Sequence, residues 1–256
     1  MVEIDLSGKV ALVTGGSRGI GAAITRVMAR AGADVTFTHT GDPARTDTVA
    51  SLLAAIKTDG GTADAAAVDA CNPAAARGLV EQIVARRGRL DILVHNVGKN
   101  KAREIADVTD EEWERFITIN LTSAFIAVRA ALPSMLKNRH GRIILIGSSA
   151  VADGGGGAAD YAAGKAGLTG MMTYLCRTYA RRGILTNIIH PCVIETDLLR
   201  ERYTGDARTK LIGQIPAGRL GKPDDIAGLT AYLASSWGDF ICGQSILVDG
   251  GRTVYR

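Results

Sequence analysis

The sequence predicts an α/β protein that folds as one doubly wound parallel sheet with helices on both faces. Two observations carry this prediction: short apolar segments alternate with helical patterns along all 256 residues, and no linker or repeat interrupts them. Alternating strands and helices connect through right-handed crossovers, which makes the strands parallel and covers both faces of the sheet. We therefore expect residues 1–256 to form a single domain.

The elements follow one another in a regular order. The predicted strands cover 9–14, 34–38, 62–69, 91–95, 142–147, 185–190 and 245–248. The clearest helical patterns cover 22–31, 109–137 and 159–182, and a polar helical segment at 197–216 has the character of a mobile substrate lid. The two longest helices carry many small residues and offer faces on which subunits could pack.

A glycine-rich turn joins the first strand to the first helix. In this context a dinucleotide pyrophosphate can approach the backbone closely, and the helix N-terminus offers unpaired N–H groups to the anion. The turn predicts a nucleotide-binding fold of the Rossmann type. Its candidate binding residues are Gly15, Ser17, Arg18, Gly19, Ile20 and Gly21.

A tyrosine and a lysine, Tyr161 and Lys165, stand four residues apart in the last long helix, so they share one helix face. A neighbouring cation favours the phenolate, and we expect Lys165 to lower the pKa of Tyr161 from about 10. Tyr161 is then a candidate proton donor or acceptor. Ser148 follows an apolar strand, where its hydroxyl could bind the same substrate oxygen. Alone, the spacing is also typical of an exposed surface pair.

Together these motifs resemble those of the short-chain dehydrogenase/reductase family. Its signature is TGxxxGxG near the N-terminus and YxxxK about 140 residues later, and both are present here. Residues 95–98 (HNVG) look like its NNAG motif, Asn120 matches its catalytic-helix asparagine, and residues 190–196 look like its PG motif and nicotinamide loop. The resemblance covers essentially the whole chain and implies a catalytic set of Asn120, Ser148, Tyr161 and Lys165.

The resemblance also implies further contacts to a nicotinamide cofactor. Asp69 and Ala70 would border the adenine, and Asn96 would lie near the adenine ribose. Gly98 belongs to the matched NNAG motif, Lys165 would hold the nicotinamide ribose, and Tyr161 would stand beside it. Ile194 and Thr196 would contact the carboxamide.

The end of the second strand bears on which nicotinamide cofactor binds. An acidic residue there would bind a ribose 2′-OH, whereas a basic neighbourhood would take a 2′-phosphate. The strand runs into His39, Thr40 and Gly41 with no carboxylate before Asp42, and Arg18 lies in the glycine loop. This pattern favours NADP(H) over NAD(H), with Arg18 and Thr40 near the phosphate.

Three residues depart from the family pattern. His95 and Val97 replace Asn and Ala of NNAG, and Cys192 replaces the glycine after Pro191. A backbone that needs positive φ at Cys192 would resist the replacement, so the nicotinamide loop is the least certain part of the site. Enoyl reductases of the superfamily use a longer gap between Tyr and Lys, which disfavours enoyl reduction.

The function that the resemblance implies is reduction of a ketone to a secondary alcohol with NADPH, most like the bacterial 3-oxoacyl-(acyl-carrier-protein) reductases. Arg139 and Arg182 match positions where those enzymes dock the acidic carrier, although cations at helix ends also have structural reasons. A sugar, polyol or small-alcohol dehydrogenase using NAD(P) is the alternative within the family. A non-catalytic cofactor-binding scaffold is the alternative outside it.

Composition excludes several other classes. A net charge of +4 with scattered basic residues gives no sign of nucleic acid, and neither an apolar leader nor a membrane span is expected. Four dispersed cysteines and four histidines without ligand spacing predict no metal site and a reduced, cytoplasmic protein. Family members commonly form tetramers, so the resemblance implies a homotetramer.

Overall fold

Seven parallel strands form the centre of the molecule, whose computed structural model describes residues 3–196, 199–200 and 203–253. The strands are β1 (Val10–Thr14), β2 (Asp34–His39), β3 (Thr62–Ala67), β4 (Ile92–His95), β5 (Gly141–Ile146), β6 (Ile184–Pro191) and β7 (Ser245–Val248). They pair in the order β3-β2-β1-β4-β5-β6-β7, and every pair is parallel. The predicted fold class is confirmed.

Helices connect the strands and cover both faces of the sheet. Their bounds in the described ranges are α1 (Gly19–Arg30), α2 (Thr46–Thr58), α3 (Pro73–Arg87), α4 (Asp110–Ile117), α5 (Ser123–Asn138), α6 (Ala150–Asp153), α7 (Ala159–Tyr179), α8 (Gly205–Gly213) and α9 (Pro223–Ala234). One apolar cluster packs α1, α2 and α9 on the first face, and another packs α3, α5 and α7 on the second. Strands β1, β4 and β5 are buried throughout because both of their faces meet helices.

The position of β1 in the sheet determines where a ligand can bind. Strand β1 pairs with β2 on one side and with β4 on the other, so the connections leaving β2 and β4 run to opposite faces. Such a switch point opens a crevice at the carboxyl ends of the strands. The turn after β1 and the residue that follows β4, Asn96, both lie at this edge.

The long helix predicted for 109–137 is divided in the structure. It consists of α4, a single π-helical turn at Thr118–Thr122, and α5. Periodicity could not reveal the turn, because one residue is added within an otherwise continuous apolar pattern. The turn carries the fully buried Asn120, whose side chain points inward.

The helical run Asp110–Asn138 is also long and apolar enough to cross a bilayer. The core helix of a globular protein meets the same criterion. Ala124, Val128 and Met135 of this run are buried in the cluster under α3 and α7. Its apolar character is therefore accounted for in part by packing against the sheet.

The predicted lid at 197–216 lies partly outside the described residues, which omit 197–198 and 201–202. Within the described part, Leu199 and Arg200 donate backbone hydrogen bonds to the carbonyl of Thr196. Helix α8 follows, and Arg208 on it pairs with Glu195 at 2.6 Å. This ion pair ties α8 to the segment that follows β6.

Candidate active site

The turn after β1 is shaped by close approaches between backbone atoms. The Gly15 amide donates to Thr38 Oγ1 at 3.0 Å, and Asn96 Nδ2 donates to the Gly15 carbonyl at 2.9 Å. A Cβ on Gly21 would lie only 2.1 Å from that carbonyl oxygen, so the helix can approach the strand only with glycine there. The turn at the N-terminus of α1 therefore has a backbone shape that fits the predicted binding of a dinucleotide pyrophosphate.

The segment after β6 closes over this turn. A Cβ placed on Gly19 would lie 3.1 Å from the methyl carbon of Thr196. Ile194 forms a β-bridge with Gly221, which fixes the segment below Thr196. Ser17 is buried within the turn, and Arg18 is the N-cap residue of α1. The structure thus brings the glycine loop and the predicted carboxamide-binding residues together.

The predicted adenine end lies beside the carboxyl ends of β2 and β3. Ala70 lines a small cavity together with Thr14, Thr38 and Val68. The Asp69 carboxylate accepts a hydrogen bond from the Cys71 amide, which explains why β3 ends before Asp69. Thr40 directly follows β2.

Ser148 and Tyr161 are brought together at the carboxyl end of β5. The Ser148 hydroxyl lies close enough to the Tyr161 phenol to lower its pKa. Burial has the larger effect and raises the pKa of Tyr161 above its ordinary value. The expectation that Lys165 lowers this pKa is therefore wrong for the structure, because burial dominates and the Lys165 ammonium is directed elsewhere.

The Lys165 ammonium binds two main-chain carbonyls. It donates to Ile146 at 2.9 Å and to Val97 at 3.1 Å, and the residue is 2% exposed. Burial lowers the pKa of Lys165 to about 8. A Cβ on Gly98 would lie 2.9 Å from the lysine Nζ and 3.2 Å from Asn120 Oδ1, so these three predicted residues are neighbours.

The Asn120 side chain has all of its main bonding groups engaged. Its oxygen accepts from the Lys99 amide at 3.0 Å, and its nitrogen donates to the carbonyls of Lys99 at 2.9 Å and Phe116 at 3.0 Å. Asn120 therefore holds the segment after β4 against the π turn. Because its side chain is engaged in these bonds, Asn120 could contribute to proton transfer only through its main-chain groups.

Two histidines in the matched motifs are buried, and sequence reasoning assigned no role to either. His95 bridges two hydroxyls, with Nδ1 2.9 Å from Thr14 Oγ1 and Nε2 3.1 Å from Ser123 Oγ. Burial first, and the charge of Lys165 second, lower the pKa of His95 to about 3. The ring is therefore neutral at physiological pH and joins β1, β4 and α5.

The second of these histidines contacts the main chain of Ser148. Nδ1 of His190 lies 3.1 Å from the Ser148 amide nitrogen and 3.0 Å from its carbonyl oxygen. Nε2 lies 2.7 Å from Ser245 Oγ on β7. Burial lowers the pKa of His190, which favours the neutral ring. Its only sequence signal was a polar residue inside an apolar strand.

A buried ion pair stands next to Tyr161. Arg103 is paired with Asp160, and its guanidinium lies 4.5 Å from the centre of the Phe116 ring. Asp160 also accepts a hydrogen bond from the Tyr161 amide at 2.6 Å. The Arg103 amide donates to the Gly157 carbonyl at 2.7 Å, so the segment after β4 is fastened to the glycine run 154–157.

The replacement of glycine by Cys192 causes no backbone strain. Arg139 is the one non-glycine residue with positive φ in the described ranges, so the backbone at Cys192 does not need the positive φ that would resist the replacement. The Cys192 amide donates to the Val248 carbonyl at 3.3 Å, which continues the pairing of β6 with β7. An extended conformation of this kind accepts any residue.

Comparison with known proteins agrees with this geometry. A family model described as enoyl-(acyl-carrier-protein) reductase matches residues 15–253. The 3-oxoacyl-[acyl-carrier-protein] reductase FabG of Escherichia coli is 40% identical over 248 residues, 97% of this chain and 98% of the relative. The chain belongs to the short-chain dehydrogenase/reductase family.

Solved structures of the family show the same architecture. A short-chain dehydrogenase/reductase from Serratia marcescens has a TM-score of 0.89 at 36% identity, with 97% of this chain and 99% of that chain covered. A dehydrogenase/reductase from Sinorhizobium meliloti has the same TM-score and identity, with 98% of each chain covered. The protein is a nicotinamide-dependent oxidoreductase that acts on CH–OH or C=O groups.

Substitution of the cradle glycine tests the nucleotide site. Gly21→Ala should weaken binding of NADPH and NADH at least tenfold, because the methyl group collides with the Gly15 carbonyl and displaces the turn. Fluorescence titration of the reduced nicotinamide gives both dissociation constants. Gly78→Ala is the matched control, since a Cβ at that helical position meets nothing within 4 Å. Equal affinities in both variants would contradict this assignment.

His95 should make the protein sensitive to acid. Its pKa is about 3 when folded and about 6.5 when unfolded, so only the unfolded chain takes up this proton between those values. The contribution to stability is complete above about pH 6.5 and is lost as the pH falls toward 3.

We expect His95→Asn to remove about 2 kcal/mol of the difference in unfolding free energy between pH 7 and pH 5. Urea denaturation at the two pH values measures that difference in each protein. The slopes with pH are compared, not the absolute stabilities, because the substitution also changes packing. An identical pH dependence in the variant would exclude His95 as its source.

Proposed function

We propose that the protein reduces a ketone to a secondary alcohol with NADPH, and that Ser148, Tyr161, Lys165 and Asn120 form the reacting end of the site. The closeness of the Ser148 hydroxyl to the Tyr161 phenol, on the helix that also carries the buried Lys165 ammonium, carries this proposal. These groups lie at the carboxyl edge of the sheet, where the glycine cradle also opens.

Each side chain has a role that follows from its surroundings. The nicotinamide, when bound, supplies a hydride to the carbonyl carbon. Ser148 and Tyr161 hold the carbonyl oxygen by hydrogen bonds. Burial raises the pKa of Tyr161, so the phenol is protonated at neutral pH and can donate its proton to that oxygen as negative charge develops. This protonation state favours reduction.

Lys165 and Asn120 organise the site around that proton donor. An ammonium has three N–H donors, and the carbonyls of Val97 and Ile146 accept two of them. The third can bind a ribose hydroxyl of the cofactor. Asn120 holds Lys99 by a hydrogen bond, and Gly98 lets the chain approach this ammonium closely, since a Cβ there would lie 2.9 Å from Nζ.

The surroundings of β2 support NADP(H) over NAD(H). The first carboxylate after β2 is Asp42, and its two oxygens accept hydrogen bonds from the Ala44 amide and the Arg45 guanidinium. This carboxylate is therefore engaged in capping the turn at Pro43–Arg45. Arg18, at the start of α1, supplies the positive charge that a 2′-phosphate needs.

The proposed substrate is a 3-oxoacyl chain on an acyl carrier protein, as the names of several relatives state for those proteins. Arg139 and Arg182 would dock the acidic carrier. The main chains beside them meet, since the Gly141 amide donates to the Gly183 carbonyl at 3.0 Å. Arg182 also lies over the Tyr179 ring at 5.4 Å. Both arginines therefore stand at one corner of the molecule.

Other substrates give a second candidate within the family. The polar segment at α8 and the glycine run 154–157 would also suit a sugar, polyol or small alcohol. The matched family description names enoyl reduction, but the three residues between Tyr161 and Lys165 favour a ketone. A scaffold without catalysis has no use for Ser148, Tyr161 and Lys165 placed together.

We further propose a cytoplasmic homotetramer. Large apolar side chains are exposed on the helices expected to pack between subunits: Trp113 on α4, Phe125 on α5 and Tyr174 on α7. Burial of these surfaces in an assembly would remove them from water. The four cysteines are free thiols, which suits a reducing compartment.

A Tyr161→Phe variant tests the proton donor. We expect kcat for a 3-oxoacyl thioester to fall by about 10²–10⁴-fold, since the ring remains while the proton is lost. NADPH fluorescence should show binding within a fewfold of the wild type. Assays with NADPH and NADH, and with an enoyl thioester and a polyol as other substrates, distinguish the candidates. Full activity in Tyr161→Phe would refute the proposed acid.

Charge reversal at the proposed docking corner tests the carrier. Arg139→Glu/Arg182→Glu should raise KM for a carrier-bound 3-oxoacyl substrate by about 3–10-fold and leave KM for a small ketone unchanged. Arg30→Glu/Lys57→Glu is the control with the same change in charge, at exposed helix ends elsewhere. Equal effects of the docking variant on both substrates would count against the carrier.

A further inference from the structure

Two cysteines far apart in the chain are in contact on the protein surface. The Sγ atoms of Cys176 and Cys242, which are 66 positions apart, are separated by 3.0 Å. Cys176 lies in the last turns of α7, and Cys242 lies in the segment just before β7. A disulfide bond is 2.03–2.05 Å long, so about 1 Å of further approach would close it.

The surrounding chain makes room for the pair and holds it in place. A Cβ on Gly243 would lie 3.0 Å from Cys176 Sγ, so the glycine beside Cys242 leaves space for that sulfur. The Gly243 amide donates to the Thr186 carbonyl at 2.8 Å, and the Gln244 amide donates to Asn187 Oδ1 at 3.0 Å. The segment that presents Cys242 is therefore fastened to β6.

Solvent can reach both thiols. Each cysteine is partly exposed. The other two cysteines are in different places. Cys71 follows the end of β3, and Cys192 Sγ lies 3.6 Å from the Arg252 guanidinium.

We propose that Cys176 and Cys242 form a reversible intrachain disulfide by exchange with a low-molecular-weight disulfide such as oxidised glutathione. The thiolate of one cysteine attacks a glutathione sulfur, the S–S bond of the oxidant breaks, and one glutathione thiolate leaves. The second cysteine then attacks the protein sulfur of the mixed disulfide and expels the other glutathione. The two thiols lose two protons and two electrons, and the oxidant becomes two glutathione thiols.

The environment of the pair affects its reactivity. The hydrogen bond between the two thiols, burial and the charge of Cys242 raise the pKa of Cys176 to about 11. Cys176 is therefore protonated at neutral pH, and because the exchange needs a thiolate, the reaction should be faster at higher pH.

The disulfide would join the two elements that meet at the candidate active site. Helix α7 carries Tyr161 and Lys165 near its beginning. Strand β7 carries Ser245, which contacts His190 and through it the main chain of Ser148. Oxidation would fix the end of α7 to the segment before β7 and so restrict movement between these two supports.

The test is incubation of the full-length protein with oxidised glutathione, followed by alkylation and mass spectrometry under denaturing conditions. We expect two fewer alkyl groups than in the reduced protein, a cross-linked peptide containing Cys176 and Cys242, and reversal by dithiothreitol. Cys71→Ser should behave as the wild type does. Cys176→Ser should stop at the mixed disulfide, with one glutathione bound at Cys242.

Other outcomes overturn the proposal. They are glutathione bound at Cys176 or Cys242 of the wild type without cross-linking, linkage between chains on a non-reducing gel, and no reaction at either thiol. A second measurement is the melting temperature, which should rise by several degrees on oxidation of the wild type and not in Cys176→Ser. An unchanged or lower melting temperature in the cross-linked protein would also contradict the proposal that the native fold holds the two thiols in position for a disulfide.

Discussion

The buried ammonium of Lys165 is the interaction on which the site depends. Its bonds to the carbonyls of Val97 and Ile146 join α7 to the ends of β4 and β5. A buried charge is energetically costly unless it is hydrogen-bonded. If these two strand ends separated from the helix, the ammonium would be exposed to water or left buried without its hydrogen bonds. The same contacts determine where Tyr161, one turn earlier on α7, meets Ser148. Stability and the geometry of the reacting groups thus share one set of bonds.

Neutral polar groups surround this charge and hold the neighbouring segments by hydrogen bonds. His95 connects Thr14 to Ser123, and burial together with the nearby ammonium keeps its ring uncharged. Asn120 uses its amide to hold the loop after β4. A second cation here would repel Lys165, whereas rings and amides supply hydrogen bonds without adding charge. The layer beneath the site is therefore polar, satisfied and electrically neutral.

Sequence reasoning reached the fold and the neighbourhood of the site because both depend on local patterns. Apolar strands and the glycine turn predict the parallel sheet, and residues 120, 148, 161 and 165 follow from matched motifs. The contacts that were not predicted join residues that are far apart in the sequence. The role of His190 needs Ser245, 55 positions later, and the pairing of Arg103 with Asp160 needs the segment after β4 to meet the start of α7. The π turn around Asn120 was also hidden, since adding one residue barely alters an apolar helical pattern.

The contact between His190 and Ser245 has a consequence for the order in which the molecule matures. During synthesis Ser148, Tyr161 and Lys165 leave the ribosome well before Ser245 does. Until β7 docks at the edge of the sheet, the His190 ring lacks its partner on that side, and the main chain of Ser148 is less firmly held. Strand β7 thus completes the support of Ser148, so a nascent chain that already contains Ser148, Tyr161 and Lys165 does not yet hold them in their final arrangement.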